Sequence, residues 1–251
     1  RAIAAQLTDV QNIIVFDEQP DYEAKELGIQ QIMAWGKDLL SKKPEIVKAT
    51  AQNVKADDIA NISYTSGTTA DPKGIMLTHR NYTANVEQAL TLMNIPPEFR
   101  TLLILPLDHC FAHVAGFYSF MASGASVGTV QTGRTGMETL KNIPINIKEL
   151  QPDLLLSVPA LAKNFKKNIE SGIRSQGPVI EWLFNTAMKM SYSYNKEGYN
   201  RGKGLQILKK PLLTLFDKIL FTKIRAGFGG KLKFFIGGGA LLDIDLQRFY
   251  Y

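Results

Sequence analysis

Short β-branched and apolar runs alternate with amphipathic stretches along this chain. Residues 12–16, 61–65, 74–78, 101–105, 125–130, 153–158 and 231–236 read as strands, each long enough to cross one sheet. Between them, residues 22–40 set Leu27, Ile32, Trp35 and Leu39 on roughly one helix face, and residues 80–93 follow Thr78 and His79 as a second helix. Strand and helix in alternation predict an α/β fold, a mostly parallel sheet covered by helices. From about residue 159 to 223 the pattern changes to three helices without a convincing strand, broken at 172–178 and 197–204, which reads as a helical insertion. The run Gly198-Tyr199-Asn200-Arg201-Gly202-Lys203-Gly204 is expected to be a mobile surface loop, because three glycines and two cations neither pack nor hold φ.

Composition narrows the class. With 45% hydrophobic and 21% charged residues in 251, the chain has the make-up of a globular protein, so disorder and fibre are poor readings. The longest apolar runs stop well short of the roughly 20 residues that a membrane helix needs. A lone cysteine, Cys110, allows no internal disulfide and no thiolate metal cage, which fits a cytoplasmic protein. The net charge of +6 is spread along the chain rather than gathered for nucleic acid. The clusters at 163–167 and 209–210 read as solvated helix faces, the sharper alternative being contact with an anionic membrane surface or an acidic cofactor tail. The N-terminal run shows no starting Met and no signal pattern, so the chain is expected to be an internal piece of a longer polypeptide.

The chemistry concentrates in residues 61–81. Thr65, Ser66, Gly67, Thr68 and Thr69 offer backbone N–H groups and hydroxyl donors without bulk, as a polyphosphate requires, and Lys73 adds a mobile positive charge. A hydroxyl there, Thr68 in particular, also suits Mg²⁺, which prefers oxygen ligands. A P-loop is excluded, since Pro72 has no N–H to offer a phosphate and Gly74 no hydroxyl for the metal. The bland reading is a hydroxyl-rich connection closed by the turn formers Asp71-Pro72-Lys73-Gly74. His109 could equally cap a helix running to Ala122 or be an interior histidine, and His79 and His113 read as structural. His109 and His113 have the spacing of a zinc pair, but no Glu follows His109. Gly237, Gly238 and Gly239 make a tight turn, or allow close approach of a flat ring, or both.

Tyr64-Thr65-Ser66-Gly67-Thr68-Thr69, with Pro72-Lys73-Gly74, resembles the phosphate-binding signature of the adenylate-forming (AMP-binding) superfamily; Ala70 stands where that family commonly has Gly. Leu105-Pro106-Leu107-Asp108-His109 resembles its next motif, and Ile236-Gly237-Gly238-Gly239-Ala240-Leu241 its Gly-Gly-Ala segment. Residues 217–225 and 228–232, together with the insertion after Ser157-Val158-Pro159, resemble the long-chain fatty acyl-CoA synthetase type; Ala160 stands where that subgroup often has Arg.

The resemblance implies an internal piece of the large N-terminal domain, with the whole of 1–251 in that one domain and the C-terminal domain beyond Tyr251. It implies ATP-dependent activation of a medium- to long-chain fatty acid to acyl-AMP and then to a thioester with coenzyme A, with Mg²⁺ as cofactor. Thr65, Ser66, Gly67, Thr68, Thr69 and Lys73 would then grip phosphate, with Thr68 at the metal and Thr68 and Lys73 catalytic. Gly238, Gly239 and Ala240 would line the nucleotide, with His109 and Gly238 on the acyl side, followed by Phe111, Val114, Phe117 and Tyr118 as an apolar wall. A cytoplasmic enzyme with peripheral membrane contact and no nucleic-acid partner is the expectation. The isolated piece is expected to be inactive and prone to self-association, and its oligomeric state is otherwise open. Transfer of the acyl group to a carrier protein, or a non-catalytic module that binds nucleotide or lipid, are the alternatives.

Overall fold

The computed structural model describes residues 6, 8–65, 72–107 and 109–251. The chain divides into two compact units, residues 1–58 and 59–251. In the first, β1 (Ile13–Val15) pairs in parallel with β2 (Glu26–Gly28), Ile14 opposite Leu27. Helices α1 (Ile29–Lys42) and α2 (Ile46–Asn53) follow. The helix expected over 22–40 therefore begins late, and Leu27 belongs to a strand. Lys25, in the left-handed region at φ 72°, interrupts any helix from residue 22. Periodicity could not register this, because the backbone groups of 26–28 are satisfied by a partner strand rather than locally. Trp35 and Leu39 are exposed on α1.

The second unit opens with an antiparallel hairpin, β3 (Ile59–Thr65) and β4 (Lys73–Thr78), in which Thr65 pairs with Lys73. Thr78 then caps α3 (His79–Leu92): its hydroxyl accepts from the Asn81 N–H at 3.3 Å, and its own N–H donates to Asn81 Oδ1 at 2.9 Å. This reciprocal cap starts the helix at His79, one residue before the expected start at Arg80.

Next comes β5 (Arg100–Leu103), then a π-helical stretch, Ala112–Tyr118, that runs into α4 (Ser119–Ala122). The Ser119 hydroxyl donates to the Val114 carbonyl at 2.9 Å within the widened turn. A methyl group at Gly116 would come within 2.6 Å of Leu103 and 2.9 Å of Leu156, so only glycine lets this stretch lie so close to the sheet. There follow β6 (Ser126–Thr129), α5 (Gly136–Leu150) and β7 (Leu154–Ser157).

The insertion comprises α6 (Pro159–Arg174), α7 (Pro178–Asn195) and an unbroken rod: a 3₁₀ start at Gly204–Lys209, α8 (Lys210–Phe216), a π turn at Asp217–Phe221 and α9 (Thr222–Gly227). It carries no strand, as the polar and apolar pattern predicts, and it has its own small core of Ala187, Phe216 and Leu220. Residues 198–204 are more firmly held than expected. Gly202 N–H donates to the Tyr194 carbonyl at 2.9 Å, and Arg201 lies over the rings of Tyr194 and Tyr251. The glycines there adopt left-handed φ angles that make these turns, so they shape the loop instead of freeing it.

The chain closes with β8 (Phe234–Gly237) and α10 (Ile244–Tyr250), the latter capped by Asp243. The four-stranded parallel sheet has the order β6-β5-β7-β8. Leu154, Leu155 and Leu156 of β7 are all buried, as expected of a strand covered on both faces. Leu154 and Leu156 pack with Phe99, Ala115 and Phe120 on one face. Leu155 and Leu102 meet Ile143, Ile147 and Phe165 on the other. Tyr250 pins α10 to α6 by donating to the Ala162 carbonyl at 2.7 Å, and burial pushes its phenol well above the usual tyrosine range, so the donated proton is retained.

Candidate functional site

In an open parallel sheet, ligands bind outside the carboxyl ends of the strands where the strand order reverses. Here β5 is followed on one side by β6 and on the other by β7, so the reversal falls between β5 and β7. The loop after β5 carries His109, β7 ends at Ser157, and β8 leads into Gly238, Gly239 and Ala240, so two of the expected site segments gather with the end of β7 at this one edge.

Contact joins them. The ring of Phe111, two residues after His109, lies so close to Gly238 that a Cβ there would approach it to 2.6 Å. Gly238 N–H donates to the Ser157 carbonyl at 3.0 Å, which ties the glycine segment to the end of β7. Gly239, at φ +79°, faces Val158 at 3.6 Å from where its Cβ would stand. Gly237, Gly239 and Ala240 are exposed. The exposed Gly237 and Gly239 leave a short ledge of backbone without side chains, which fits the close approach of a flat ring, while the Phe111 ring covers the side-chain face of Gly238.

His109 is exposed, and its Nδ1 accepts the Phe111 N–H at 3.3 Å. His113, one turn on, is held as a structural residue: it stacks on Tyr118 with ring centroids 4.7 Å apart and meets Tyr82 edge-on at 5.4 Å. Of the expected apolar wall, Val114 is buried, whereas Phe111, Phe117 and Tyr118 are half-buried.

The phosphate-loop residues Ser66, Gly67, Thr68 and Thr69 lie outside the described residues, as does Asp108. The strands that bracket the loop are described. Pairing of Thr65 with Lys73 holds the two ends of the loop opposite each other, and the Lys73 side chain is exposed. Tyr82 was not foreseen. Its hydroxyl accepts from Asn61 Nδ2 of β3 at 3.0 Å, and its ring packs on His113 and Tyr118, so it links the hairpin to the helix after His109. Its position on the inward side of α3, three residues beyond His79, is the only signal that the sequence offered. Among the described residues no three His, Cys, Asp or Glu side chains gather to hold a metal. A cavity of about 720 Å³ lies among the insertion, Phe235 and α10. Phe235 packs into the Leu155 face of the sheet and Ile236 into the other, where Phe111 lies, so the cavity and the ledge are on different faces.

A helix-covered parallel sheet with a glycine ledge at its switch point, and a hairpin tied through Tyr82 to the helix after His109, define the α/β architecture of this unit. The chain matches the model of the AMP-binding enzyme family over residues 1–251, and it belongs to that family. It is 29% identical over 255 residues to fatty acyl-CoA synthetase B of Dictyostelium discoideum, covering 98% of this chain and 35% of that protein. It is 31% identical over 198 residues to long chain acyl-CoA synthetase 7, peroxisomal, of Arabidopsis thaliana, covering 78% of this chain and 25% of that one. The chain thus spans about a third of the length of the curated relatives that it matches over nearly its whole extent. In fold it is similar to the inhibitor-bound N-terminal domain of FACL13 from Mycobacterium tuberculosis, with a TM-score of 0.52 at 16% identity, over 99% of this chain and 45% of that one. No helix among the described residues is long and apolar enough to cross a membrane.

Proposed function

We propose that the full-length protein is an ATP-dependent acid–thiol ligase acting on medium- to long-chain fatty acids, with residues 1–251 forming part of one large N-terminal domain. The fatty-acid carboxylate attacks the α-phosphorus of ATP, an acyl-adenylate forms and pyrophosphate leaves; the thiol of coenzyme A then displaces AMP. Thr65, Ser66, Gly67, Thr68, Thr69 and Lys73 hold the β- and γ-phosphates and stabilise the leaving pyrophosphate. Thr68 would hold Mg²⁺, which would supply charge neutralisation between the phosphates. Gly238, Gly239 and Ala240 receive the adenine, and His109 with Gly238 borders the acyl carboxylate.

The observation that carries this reading is the contact of the Phe111 ring with Gly238, which brings the acyl-side and nucleotide-side segments together at the switch point. The fatty acyl and long chain names of the two relatives support the choice of acid, as does the aromatic surface of Phe111, Phe117 and Tyr118. The test is pyrophosphate exchange by the full-length protein over a chain-length series of acids. A maximum among medium to long aliphatic acids is expected, and one at acetate or at an amino acid would overturn the assignment. Replacing coenzyme A by a carrier protein in the second half-reaction separates the two possible acceptors.

A further inference from the structure

We propose that the outward face of the rod spanning residues 204–227 is a docking surface for an anionic lipid bilayer. Its inward face is satisfied, since Phe216 and Leu220 are buried against Ala187 of α7. The outward face is not: Leu205, Leu208, Leu212, Leu215 and Ile219 are 81, 73, 43, 52 and 41% exposed. Their spacing of three, four, three and four residues sets them in a single line. The 3₁₀ start strengthens the line, because residues three apart eclipse there, bringing Leu205 over Leu208. From Leu205 to Ile219 the stripe runs for about 20 Å.

Charge names the occupant. Residues 198–227 hold seven Lys or Arg and one carboxylate, Asp217, which is already held by Arg225 in two bonds of 2.7 and 2.8 Å. Lys203 stands at the start of the stripe, Lys218 adjoins Ile219, and Lys223 lies four residues beyond it; all three are exposed. Flexible aliphatic side chains rimmed by snorkelling lysines, on an amphipathic helix too short to span, match a bilayer surface. An acidic protein groove would be served by the lysines but has no need of five aligned aliphatic side chains in water. This surface depends on no residue of the proposed ligase site, so the two proposals can fail separately.

The experiment is co-sedimentation of the full-length protein, without ATP or acid, on vesicles of phosphatidylcholine alone or with phosphatidylserine added. Binding is expected on the anionic vesicles, weakening with salt, and little on the neutral ones. The triple change Leu208→Ser, Leu212→Ser, Leu215→Ser is expected to lower partitioning at least about tenfold with an unaltered melting temperature. Changing Lys203, Lys218 and Lys223 to Gln is expected to lower it by about fivefold per lysine on anionic vesicles alone. Equal pelleting of wild type and both variants overturns the proposal. So does a leucine variant that melts earlier, which would mean that another part of the chain covers the stripe, or one that dissociates an oligomer, which would make the stripe a contact between copies.

Discussion

Strands β7 and β4 are four and six residues long, yet they serve opposite ends. Every residue of β7 is buried, and its three leucines divide between the two cores on either face of the sheet. In β4, Lys73 to Met76 are exposed, and the strand is held by pairing with β3 rather than by packing on both faces. A strand buried on both sides is apolar through its middle, here Leu154 to Leu156, which leaves no side chain there with which to touch a polar substrate. The hairpin has that freedom. Stability is thus concentrated in the middle of the parallel sheet, and the candidate chemistry sits on the hairpin and at the strand ends.

The sharpest way to break this contrast is to damage each strand and read both folding and rate. Leu155→Ala, at a fully buried position, is expected to destabilise the protein by about 2–5 kcal/mol in urea unfolding. A loss below about 1 kcal/mol would mean that β7 is not the core strand described. Lys73→Ala is expected to leave unfolding within about 0.5 kcal/mol of wild type. The same change should lower pyrophosphate exchange at saturating acid by at least about tenfold, about 1.4 kcal/mol, through lost charge on the leaving group. An unchanged rate would remove Lys73 from the phosphate grip.

Gly238→Ala tests the ledge between these extremes. The new methyl group meets the Phe111 ring, and the expected result is a KM for ATP raised by about fivefold with little change in melting. Adding Phe111→Leu should recover part of it, whereas no KM effect in either variant would detach the contact from nucleotide binding. The smallest effect is expected for Tyr250→Phe. It deletes the hydrogen bond to the Ala162 carbonyl and should cost about 1 kcal/mol in unfolding without altering exchange.

Much of this was legible beforehand, and the misses share a cause. The run Asp153 to Val158 announced a buried strand because consecutive apolar residues bounded by Pro152 and Pro159 have few other uses. The insertion announced itself through helical spacing, with prolines at or near the helix starts, where a missing N–H is harmless. The expectation of a phosphate-holding loop rests on chemistry alone, since small hydroxylated residues beside one lysine suit a polyanion, and residues 66–71 lie outside those described. Strand β2 was missed because its partner, β1, lies a dozen residues away and local periodicity carries no record of pairing. The role of Tyr82 was missed because both the hydrogen bond that it accepts and the rings against which it packs come from other elements.

The sequence by itself determined most element types, the alternation that makes the sheet parallel and the strandless, helical character of the insertion. All of these follow from local spacing and side-chain chemistry. Only the tertiary structure decided that β5 and β7 flank the switch point, that Phe111 rests on Gly238, and that the leucine stripe of the insertion faces outward while Phe216 and Leu220 face in. Each of these depends on which surfaces meet after folding. A leucine that seals a core and a leucine left on a surface have the same local signature until the rest of the chain has chosen which side of the helix to cover.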